Sequence, residues 1–463
     1  MMKLSESFLA ALADVLGPNG LRCDDVAGTI DPGMDPRNLD AGVLALPAST
    51  QEVQALVRLC VEHGVTIVPQ GGRTGLAGGA QSQPGQLIVA TTKMNKIVEV
   101  DPKGATAVVE AGVVLSALQE EAAEHGLSTA IDLGARDSAT IGGLISTNAG
   151  GIEAFRFGTM RHRILGIEAV LPSGEIVSDL KRVVKANEGY DIKQLLIGAE
   201  GTLGIVTRAV VNLVPLDGET ATGLVSCPTS GDALALFKRL RASQKATLVA
   251  SEIMWPGFAR ATSAALGLDA LTAFAPDDHV YLLVEMAGET SDGTQMIVEE
   301  LLGDALEAQE ASDAVLAKSA EERRRMWLIR EESFEADKAM PHGFWYDISV
   351  PHACLERYTD DLFPRMAAID PALVVFMFGH LGDGNLHLTI TRGTPMEELH
   401  DRVNTVLFEG LMEAGGSFSA EHGIGLEKRQ LLRERGSAEK NDAMHAIKAA
   451  LDSAGIMNPG KVI

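Results

Sequence analysis

Two histidines stand seven residues apart in the chain, on either side of a short run that favours a tight turn. His380 and His387 flank residues 382–385, Gly-Asp-Gly-Asn, and apolar residues typical of strands surround both histidines. The pattern predicts two antiparallel strands joined by a turn whose glycines tolerate positive φ. Paired strands would hold the two imidazoles facing each other across the tip of a hairpin, where they can share a metal ion.

A carboxylate further along the chain offers a third ligand. Glu421 lies beside His422 in the run Ser-Ala-Glu-His-Gly. Two imidazole nitrogens and one carboxylate suit Zn²⁺, Mn²⁺, Co²⁺ or Fe²⁺, and three protein ligands leave positions open for a substrate. The spacing therefore predicts a catalytic metal site. On spacing alone, ordinary solvated or hydrogen-bonded histidines at a turn are an equal alternative.

Glycines cluster in the first half of the chain. Residues 69–79 contain five glycines in eleven positions, directly after a predicted strand at Val65–Val68. Consecutive backbone N–H groups in such a loop form a nest that binds phosphate, and glycine allows a ligand to approach the backbone closely. The loop has neither the Walker nor the Rossmann spacing. Taken alone, it could equally be a mobile surface turn.

Three further loops of glycine and small polar residues lie in the same half, at residues 132–143, 146–151 and 198–206. Four such loops together indicate one extended cleft rather than four unrelated mobile turns. Their composition predicts a long, narrow ligand that contains a diphosphate.

The totals exclude several classes of protein. A length of 463 residues allows two or three cores. A formal net charge of −24 argues against nucleic-acid binding. The four cysteines show no CxxC spacing, which indicates a reducing compartment. The chain has no apolar stretch of 18 residues and no obvious signal sequence. We therefore expect a cytoplasmic protein without an integral membrane segment.

The periodicity changes near residue 216. Before that point short strands alternate with helices, and the clearest helix is capped by Ser49 and ends at Gly64. After it, residues 222–318 and 344–420 each read as a β-α-β-β-α-β unit, which predicts one antiparallel sheet with helices on one side. In the simplest version of that topology a last strand at Ser417–Ala420 carries Glu421 away from His380. The predicted segments are 1–40, 41–216, 217–455 and 456–463.

These motifs together resemble a known family. The glycine loops are similar to those of the flavin-binding domain of vanillyl-alcohol oxidase and p-cresol methylhydroxylase. Residues 380–387, 419–423 and 458–461 resemble motifs of the FAD-linked D-2-hydroxyglutarate and D-lactate dehydrogenases. The resemblance covers nearly everything from Ala41 onward. It implies an α+β fold, with a two-part FAD-binding domain and a cap domain whose antiparallel sheet is covered by helices.

The same resemblance implies a cofactor and its contacts. The FAD is expected to be non-covalent, because no histidine lies between Pro69 and Gly79 to attach it. The pyrophosphate would lie on the first glycine loop. The implied FAD-binding residues are Gly71, Gly72, Arg73, Thr74, Gly75, Gly78, Gly79, Ser138, Thr140, Gly142, Asn148, Glu200, Ile205 and Asn458.

The resemblance also implies roles at the reaction centre. His380, His387 and Glu421 would hold the metal, with zinc favoured, and His422 would act as the base. Arg330 matches the family's arginine that binds the substrate carboxylate. The Cα hydrogen of a D-2-hydroxy acid would leave as hydride toward the flavin.

The chain departs from the D-2-hydroxyglutarate enzymes where those would bind a second carboxylate. Phe334, Trp345 and Thr389 replace a threonine, a lysine and an asparagine. A D-lactate-like or larger apolar monocarboxylate is therefore favoured. Lys338 could reach in from its helix, which leaves D-2-hydroxyglutarate open.

Two other functions fit parts of the pattern. A metallohydrolase with a nucleotide substrate would use the same histidines and glycine loops. A non-redox flavoprotein transferase, such as an alkyl-dihydroxyacetonephosphate synthase, would share the fold. For a dehydrogenase the expected partners are the small-molecule hydroxy acid and an electron acceptor, either an electron-transfer flavoprotein, a quinone or a cytochrome. The sequence also leaves a homodimer open.

Overall fold

A computed structural model describes residues 4–23 and 26–463. The chain divides into two compact units. Unit 1 comprises the described residues up to Gly151 together with Phe157–Leu216 and Glu421–Ile463, and unit 2 comprises Ile152–Arg156 and Asp217–Ala420. Residues 421–455, which the sequence analysis grouped with the second domain, cluster with unit 1 because their backbone bonds to groups such as Glu200.

The chain up to Leu216 contains two main sheets. The first has the order β1-β2-β4-β3, in which β4 is parallel to both β2 and β3. The second is antiparallel with the order β5-β6-β10-β8-β9, and β11 pairs with β7. The strands are β1 (Leu21–Arg22), β2 (Leu44–Ala45), β3 (Ile67–Gln70), β4 (Leu87–Ala90), β5 (Ile97–Asp101), β6 (Thr106–Glu110), β7 (Leu127–Ser128), β8 (Ile164–Val170), β9 (Ile176–Asp179), β10 (Ile205–Asn212) and β11 (Val214–Pro215).

The helices of this part are mostly short. The helix with the clearest capping signals is α3. It begins after Ser49, whose hydroxyl accepts from the Glu52 N–H, and ends at Gly64 in the left-handed region, as the sequence predicts. The helices are α1 (Glu6–Leu16), α2 (Val26–Thr29), α3 (Thr50–His63), α4 (Leu115–Glu124), α5 (Ile141–Thr147), α6 (Ala154–Phe157), α7 (Met160–Arg163) and α8 (Lys193–Leu196), with 3-10 turns at Pro36–Leu39 and Thr91–Lys93.

Unit 2 is built on one antiparallel sheet of seven strands, in the order β15-β12-β14-β13-β17-β18-β16. The two predicted β-α-β-β-α-β units thus join edge to edge, through β13 and β17. The elements are β12 (Glu219–Cys227), α9 (Ser230–Ala242), β13 (Thr247–Met254), α10 (Pro256–Ala265), β14 (Val280–Gly288), α11 (Ser291–Glu307), β15 (Asp313–Leu316), α12 (Ala320–Glu331), α13 (Phe334–Ala339), β16 (Phe344–Ser349), α14 (Leu355–Ile369), β17 (Val374–His380), β18 (Asn385–Thr391) and α15 (His400–Phe408), with 3-10 turns at Asp269–Leu271 and Glu397–Leu399.

Helices lie on both faces of this sheet. A Cβ added at Gly223 would meet Leu302 of α11, so α11 covers that face. The opposite face includes Leu224 and packs against buried residues of α10, α12 and α13. Helices were expected on one side only, and α10 was not predicted. The apolar residues of α10, such as Phe258, cover part of the second face.

Residues 417–420 do not form the predicted last strand. Only an isolated bridge joins Ser417 to Ser349 at the end of β16. The chain then runs beside β16, and the Ala420 N–H donates to Asp347 Oδ2 at 3.0 Å. In the simplest topology residues 417–420 would form a further strand of the sheet. In the structure they instead run beside β16 without forming a strand.

The last segment of the chain adds two helices to unit 1, α16 (Arg429–Arg435) and α17 (Ala438–Leu451). No helix in the described parts of the chain combines the length and the apolar character needed to cross a membrane. No disulfide joins any of the four cysteines.

Candidate functional site

The first glycine loop of unit 1 presents its backbone to a ligand. It follows β3 directly, and Arg73 within it has a φ of +56°. The hydrogen bonds found among the described residues include none donated by the backbone N–H groups of residues 72–75. Adjacent donors of this kind form a nest for an anion such as a pyrophosphate. The predicted contacts Gly71, Gly72, Arg73, Thr74 and Gly75 therefore offer the donor set that their role requires.

The second predicted loop packs closely against the first. A Cβ added at Gly71 would lie 2.2 Å from Thr140 Oγ1, and one added at Gly72 would lie 1.9 Å from the carbonyl oxygen of Ser138. The hydroxyl of Thr140 caps α5. A Cβ at Gly142 would lie 2.7 Å from the Ala111 side chain. Only glycine fits at these approaches, so glycine serves the packing of the two loops as well as access for a ligand.

Asn458 connects the remaining loops of unit 1. Its amide nitrogen donates to the carbonyl oxygens of Gly79 at 3.0 Å and of Glu200 at 2.8 Å. Its Oδ1 is buried and has no hydrogen-bond partner within the described residues. Asn458 thus brings two predicted contacts together and leaves one buried acceptor available to a ligand that donates.

Glu200 is mainly a structural carboxylate. Its two oxygens accept from the backbone N–H groups of Ile424 and Gly425, at 2.7 and 2.8 Å. Burial raises the pKa of the Glu200 carboxyl above its ordinary value, and these backbone donors offset only part of the rise. Its side chain therefore holds residues 424–425 within unit 1.

The other predicted cofactor residues have mostly local roles. Asn148 ends α5 in the left-handed region, and its Oδ1 accepts from the Thr159 hydroxyl and the Arg161 N–H. Ile205 is buried at the start of β10. A Cβ at Gly78 would lie 2.8 Å from Gln81 Nε2.

The residues of unit 1 fit FAD. The nest at residues 72–75 suits a pyrophosphate, the glycine approaches leave no room for side chains, and the buried Asn458 Oδ1 suits a donor on the ligand.

In unit 2 the predicted metal ligands of the sheet share one face with three neighbouring side chains. Glu252 pairs with His380, Phe378 pairs with His387, and His387 pairs with Asp347. Since side chains alternate along a strand, this register places all five on the same face. His380 and His387 are diagonal rather than directly opposite, since His380 pairs with Asn385. Their ring centroids are 5.5 Å apart.

A fully buried carboxylate, Glu252, holds two of the predicted site residues. Its Oε1 lies 2.8 Å from His380 Nδ1, and its Oε2 accepts from Arg330 Nε at 2.7 Å. The Arg330 guanidinium also lies over the Phe378 ring, 4.7 Å from the centroid. A carboxylate at Nδ1 makes that nitrogen the donor, so a metal ion bound by His380, as the sequence predicts, would be bound at Nε2. Glu252 thereby fixes the orientation of both His380 and Arg330.

Asp347 has a similar relation to His387. Its Oδ1 lies 3.7 Å from His387 Nδ1 and accepts from the Asn385 side chain at 2.9 Å. The Ala420 N–H donates to Oδ2. Asp347 is fully buried, so this network is rigid.

The predicted substrate residues lie at one edge of the same face. Thr389 is buried and pairs with Trp345 across β18 and β16. Phe334 and Trp345 are exposed and contact each other edge to face, with centroids 5.8 Å apart. Lys338 extends toward Glu335 on its own helix, at 2.5 Å, and its side chain is 70% exposed. The aromatic pair is thus assembled, whereas Lys338 has an acidic partner elsewhere.

Glu421 and His422 stand at the start of the last segment of unit 1. His422 Nε2 lies 3.9 Å from Glu421 Oε1, and about a quarter of each side chain is exposed.

Sequence reasoning did not assign a role to Glu252 or Asp347. Glu252 is 128 residues from His380 in the chain, so no local spacing connects them. One signal was present, since Glu252 is a charged residue in the apolar run of β13. A charge in a central strand is rarely buried without a partner.

Comparisons with known proteins show the family and the fold of the chain. Residues 217–462 match the family described as FAD linked oxidases, C-terminal domain, and residues 41–179 match the FAD binding domain. The chain is 34% identical over 439 residues to the mitochondrial D-2-hydroxyglutarate dehydrogenase of Bos taurus, covering 93% of this chain and 80% of that protein. It is 35% identical to the D-2-hydroxyglutarate dehydrogenase of Xanthomonas citri pv. viticola, with 90% and 88% covered. The solved structure of p-cresol methylhydroxylase with substrate bound has the same fold, with a TM-score of 0.75, 16% identity, and 99% and 97% of the chains covered.

Proposed function

Because this chain belongs to the family of FAD-linked oxidases, we propose that it is an FAD- and metal-dependent dehydrogenase that oxidises a D-2-hydroxy acid to the 2-oxo acid. Two relatives are named D-2-hydroxyglutarate dehydrogenase, which supports the reaction class. The aromatic pair Phe334 and Trp345 supports a D-lactate-like or larger apolar monocarboxylate as substrate. Lys338 is paired with Glu335, which weakens the case that it binds the second carboxylate of D-2-hydroxyglutarate.

The cofactor is FAD, which when bound accepts the Cα hydrogen of the substrate as a hydride. We propose that the N–H groups of residues 72–75 donate to its pyrophosphate and that Asn458 Oδ1 accepts from it. The open donors and the buried unpaired acceptor support these roles. Non-covalent attachment is supported by the absence of histidine from residues 69–79.

The proposed metal ligands are His380, His387 and Glu421. A divalent ion held there, with Zn²⁺ favoured and Mn²⁺, Co²⁺ or Fe²⁺ as alternatives, would lower the pKa of the substrate hydroxyl. The carboxylates of Glu252 and Asp347 support this assignment. Each lies at the Nδ1 side of its histidine, so the Nε2 atom on the opposite side of the ring is the one that would bind the metal.

Arg330 and His422 have the proposed roles of holding the substrate and accepting its proton. The guanidinium offers parallel donors to a carboxylate and keeps its charge at every physiological pH. Its Nε donates to Glu252, so we assign the binding of the substrate carboxylate to its two terminal amino groups. A neutral His422 accepts the hydroxyl proton at a ring nitrogen.

One observation carries the proposal: Glu252, fully buried, binds both a metal-ligand histidine and the substrate arginine. A buried carboxylate between these two groups fixes them at one place on the sheet. That is the preorganisation needed to bind a metal and a carboxylate together.

An anaerobic bleaching screen tests the function. The purified protein should be yellow, and D-2-hydroxy acids, but not their L-enantiomers, should bleach the flavin absorption. Prior treatment with a chelator should abolish bleaching, and added Zn²⁺ or Mn²⁺ should restore it. A flavin that no hydroxy acid reduces would indicate a non-redox transferase, and a colourless protein would indicate a hydrolase.

We further propose an electron-transfer flavoprotein, a quinone or a cytochrome as acceptor, and a cytoplasmic location. Reoxidation kinetics with each acceptor distinguish the first three. The bovine relative is named as mitochondrial, so fractionation of cells that produce the protein tests the compartment. A homodimer is tested by light scattering.

A further inference from the structure

A partly buried carboxylate lies beside the exposed aromatic pair of unit 2. Asp337 is three residues after Phe334 in α13, so the two side chains share one face of that helix. The side chains of Thr389 and Trp345 interact with the Asp337 carboxyl. Four side chains from one helix and two strands thus surround the place where the proposed function puts the side chain of the substrate.

Asp337 has no cation to neutralise it. None of the ion pairs among residues 4–23 and 26–463 includes it, and the adjacent Lys338 pairs with Glu335. Its Oδ1 is shielded from solvent and has no partner of ordinary hydrogen-bond geometry among the described residues, so the contacts of Thr389 and Trp345 with the carboxyl leave this oxygen open to a donor. A buried acceptor without a donor costs free energy, so a ligand that donates to it gains correspondingly.

Burial raises the pKa of Asp337 above its ordinary value, and the interactions with Thr389 and Trp345 offset only part of the rise. A negative charge brought beside this group would raise the cost further. The carboxylate therefore sits where a second carboxylate would be repelled and a donor would be bound.

We propose that Asp337 is a specificity-determining residue: among monocarboxylates larger than D-lactate it favours a 2-hydroxy acid whose side chain ends in a hydrogen-bond donor, and it rejects a side chain that ends in a carboxylate. The inference rests on the proposed function for its location. Phe334 and Trp345 pack against the stem of such a side chain, and Asp337 Oδ1 accepts from a carboxamide, hydroxyl or ammonium at its end.

A matched pair of substrates tests the inference in the unaltered holoenzyme. D-2-hydroxyglutarate and its 5-carboxamide differ only in whether the side chain ends in a charged acceptor or a neutral donor. We expect kcat/KM for the amide to exceed that for the dicarboxylate by about tenfold or more, mostly through KM. The dissociation constants of the corresponding 2-oxo acids, from perturbation of the flavin spectrum, should show the same preference.

The variant Asp337→Asn locates the effect. Asparagine keeps the size and supplies an N–H₂ group, so kcat/KM for the dicarboxylate should rise about tenfold or more, whereas that for D-lactate should not change. Glu332→Gln removes the same charge from an exposed position close by, and it should leave the ratio of the two substrates unchanged.

The outcomes separate this inference from the proposed function. If no D-2-hydroxy acid reduces the flavin, the proposed function fails. If D-lactate reduces it but the unaltered enzyme prefers the dicarboxylate to the amide, Asp337 does not set specificity and only this inference is overturned. A misfolded Asp337→Asn variant leaves the comparison of the two substrates in the unaltered enzyme decisive.

Discussion

Unit 1 would bind its cofactor through backbone groups, whereas the sheet face of unit 2 would bind metal and substrate through side chains. The loops of unit 1 offer backbone N–H groups, and their glycines allow the close approaches between residues 71–72 and 138–140. The face of unit 2 offers charged side chains, each fixed by another buried group, as His380 and Arg330 are by Glu252. A cofactor bound by backbone tolerates many side-chain changes but few at glycine, whereas the proposed metal and substrate site would depend on individual side chains and their partners.

His387→Ala should have the largest effect, because it removes a proposed metal ligand whose nitrogen no backbone group can replace. We expect kcat/KM to fall on the order of 10³-fold, with bound metal lost and flavin absorption retained. Metal analysis and absorption spectra measure the two separately. The exposed His445→Ala variant should retain both metal and activity. Full metal content in His387→Ala would remove this residue from the site.

Gly72→Ala should damage unit 1 while sparing unit 2. The added Cβ would lie 1.9 Å from the carbonyl oxygen of Ser138, so the backbone of one loop must shift. We expect FAD affinity to fall on the order of 10²-fold, while bound metal is retained. Flavin content after gel filtration measures this.

Gly303→Ala is the matched control for that variant, because Gly303 lies in α11, outside the glycine loops, and a Cβ there meets nothing within 4 Å. It should bind FAD normally. Unchanged FAD binding in Gly72→Ala would contradict the assignment of this loop.

Glu252→Gln should weaken the binding of the metal and the binding of the substrate carboxylate together. The amide cannot accept from both His380 and Arg330 as a carboxylate does, so we expect metal affinity to fall about 10- to 100-fold and KM for the hydroxy acid to rise. Competition with a metal indicator and initial-rate kinetics measure the two. Flavin affinity should not change.

Glu285→Gln separates position from stability. Glu285 is buried on the same face and binds Arg323 and the Trp327 N–H. Each variant takes the charge from a buried carboxylate that binds an arginine, so both should be destabilised. Only Glu252→Gln should lose metal affinity. An equal loss in both variants would mean that Glu252 has only a structural role.

The smallest expected effect concerns pH and unit 1. Because the pKa of Glu200 is raised in the fold, the folded state holds this proton more tightly than the unfolded state. The free energy of unfolding therefore falls as the pH rises from the ordinary range of a glutamate through the raised pKa. Relative to Glu200→Gln, the unaltered protein should lose on the order of 1 kcal/mol of stability over that range.

Thermal midpoints of the FAD-saturated proteins at pH 5 and pH 7 measure this difference. The exposed Glu434→Gln variant should show no pH-dependent difference from the unaltered protein. If the midpoints of Glu200→Gln and of the unaltered protein shift equally between pH 5 and pH 7, the result would contradict a raised pKa of Glu200.

The sequence predicts what local patterns control. The capped helix α3 and the repeated order of elements in unit 2 follow from signals within a few residues of each other. The hairpin of β17 and β18 was also predicted, although the diagonal placement of His380 and His387 depends on a register that only the complete sheet sets.

The rest depends on contacts between distant residues. Glu252 meets His380 because β13 and β17 pair across the two repeats, and Asn458 meets Gly79 across 379 residues. The strand predicted at Ser417–Ala420 failed because an edge segment needs a partner along its whole length, and this one has a single bridge. Helix α10 was not predicted because its position depends on packing against the second face of the sheet, which no local sequence pattern specifies.

The central claim is that the strand histidines of unit 2 hold one metal ion. An anomalous difference map at the zinc edge, from crystals of the zinc-loaded holoenzyme, tests it most directly. We predict one strong peak within about 2.0–2.2 Å of Nε2 of His380, Nε2 of His387 and a carboxylate oxygen of Glu421. A peak bound by other residues, or none at these histidines in crystals whose enzyme is active, would contradict the account.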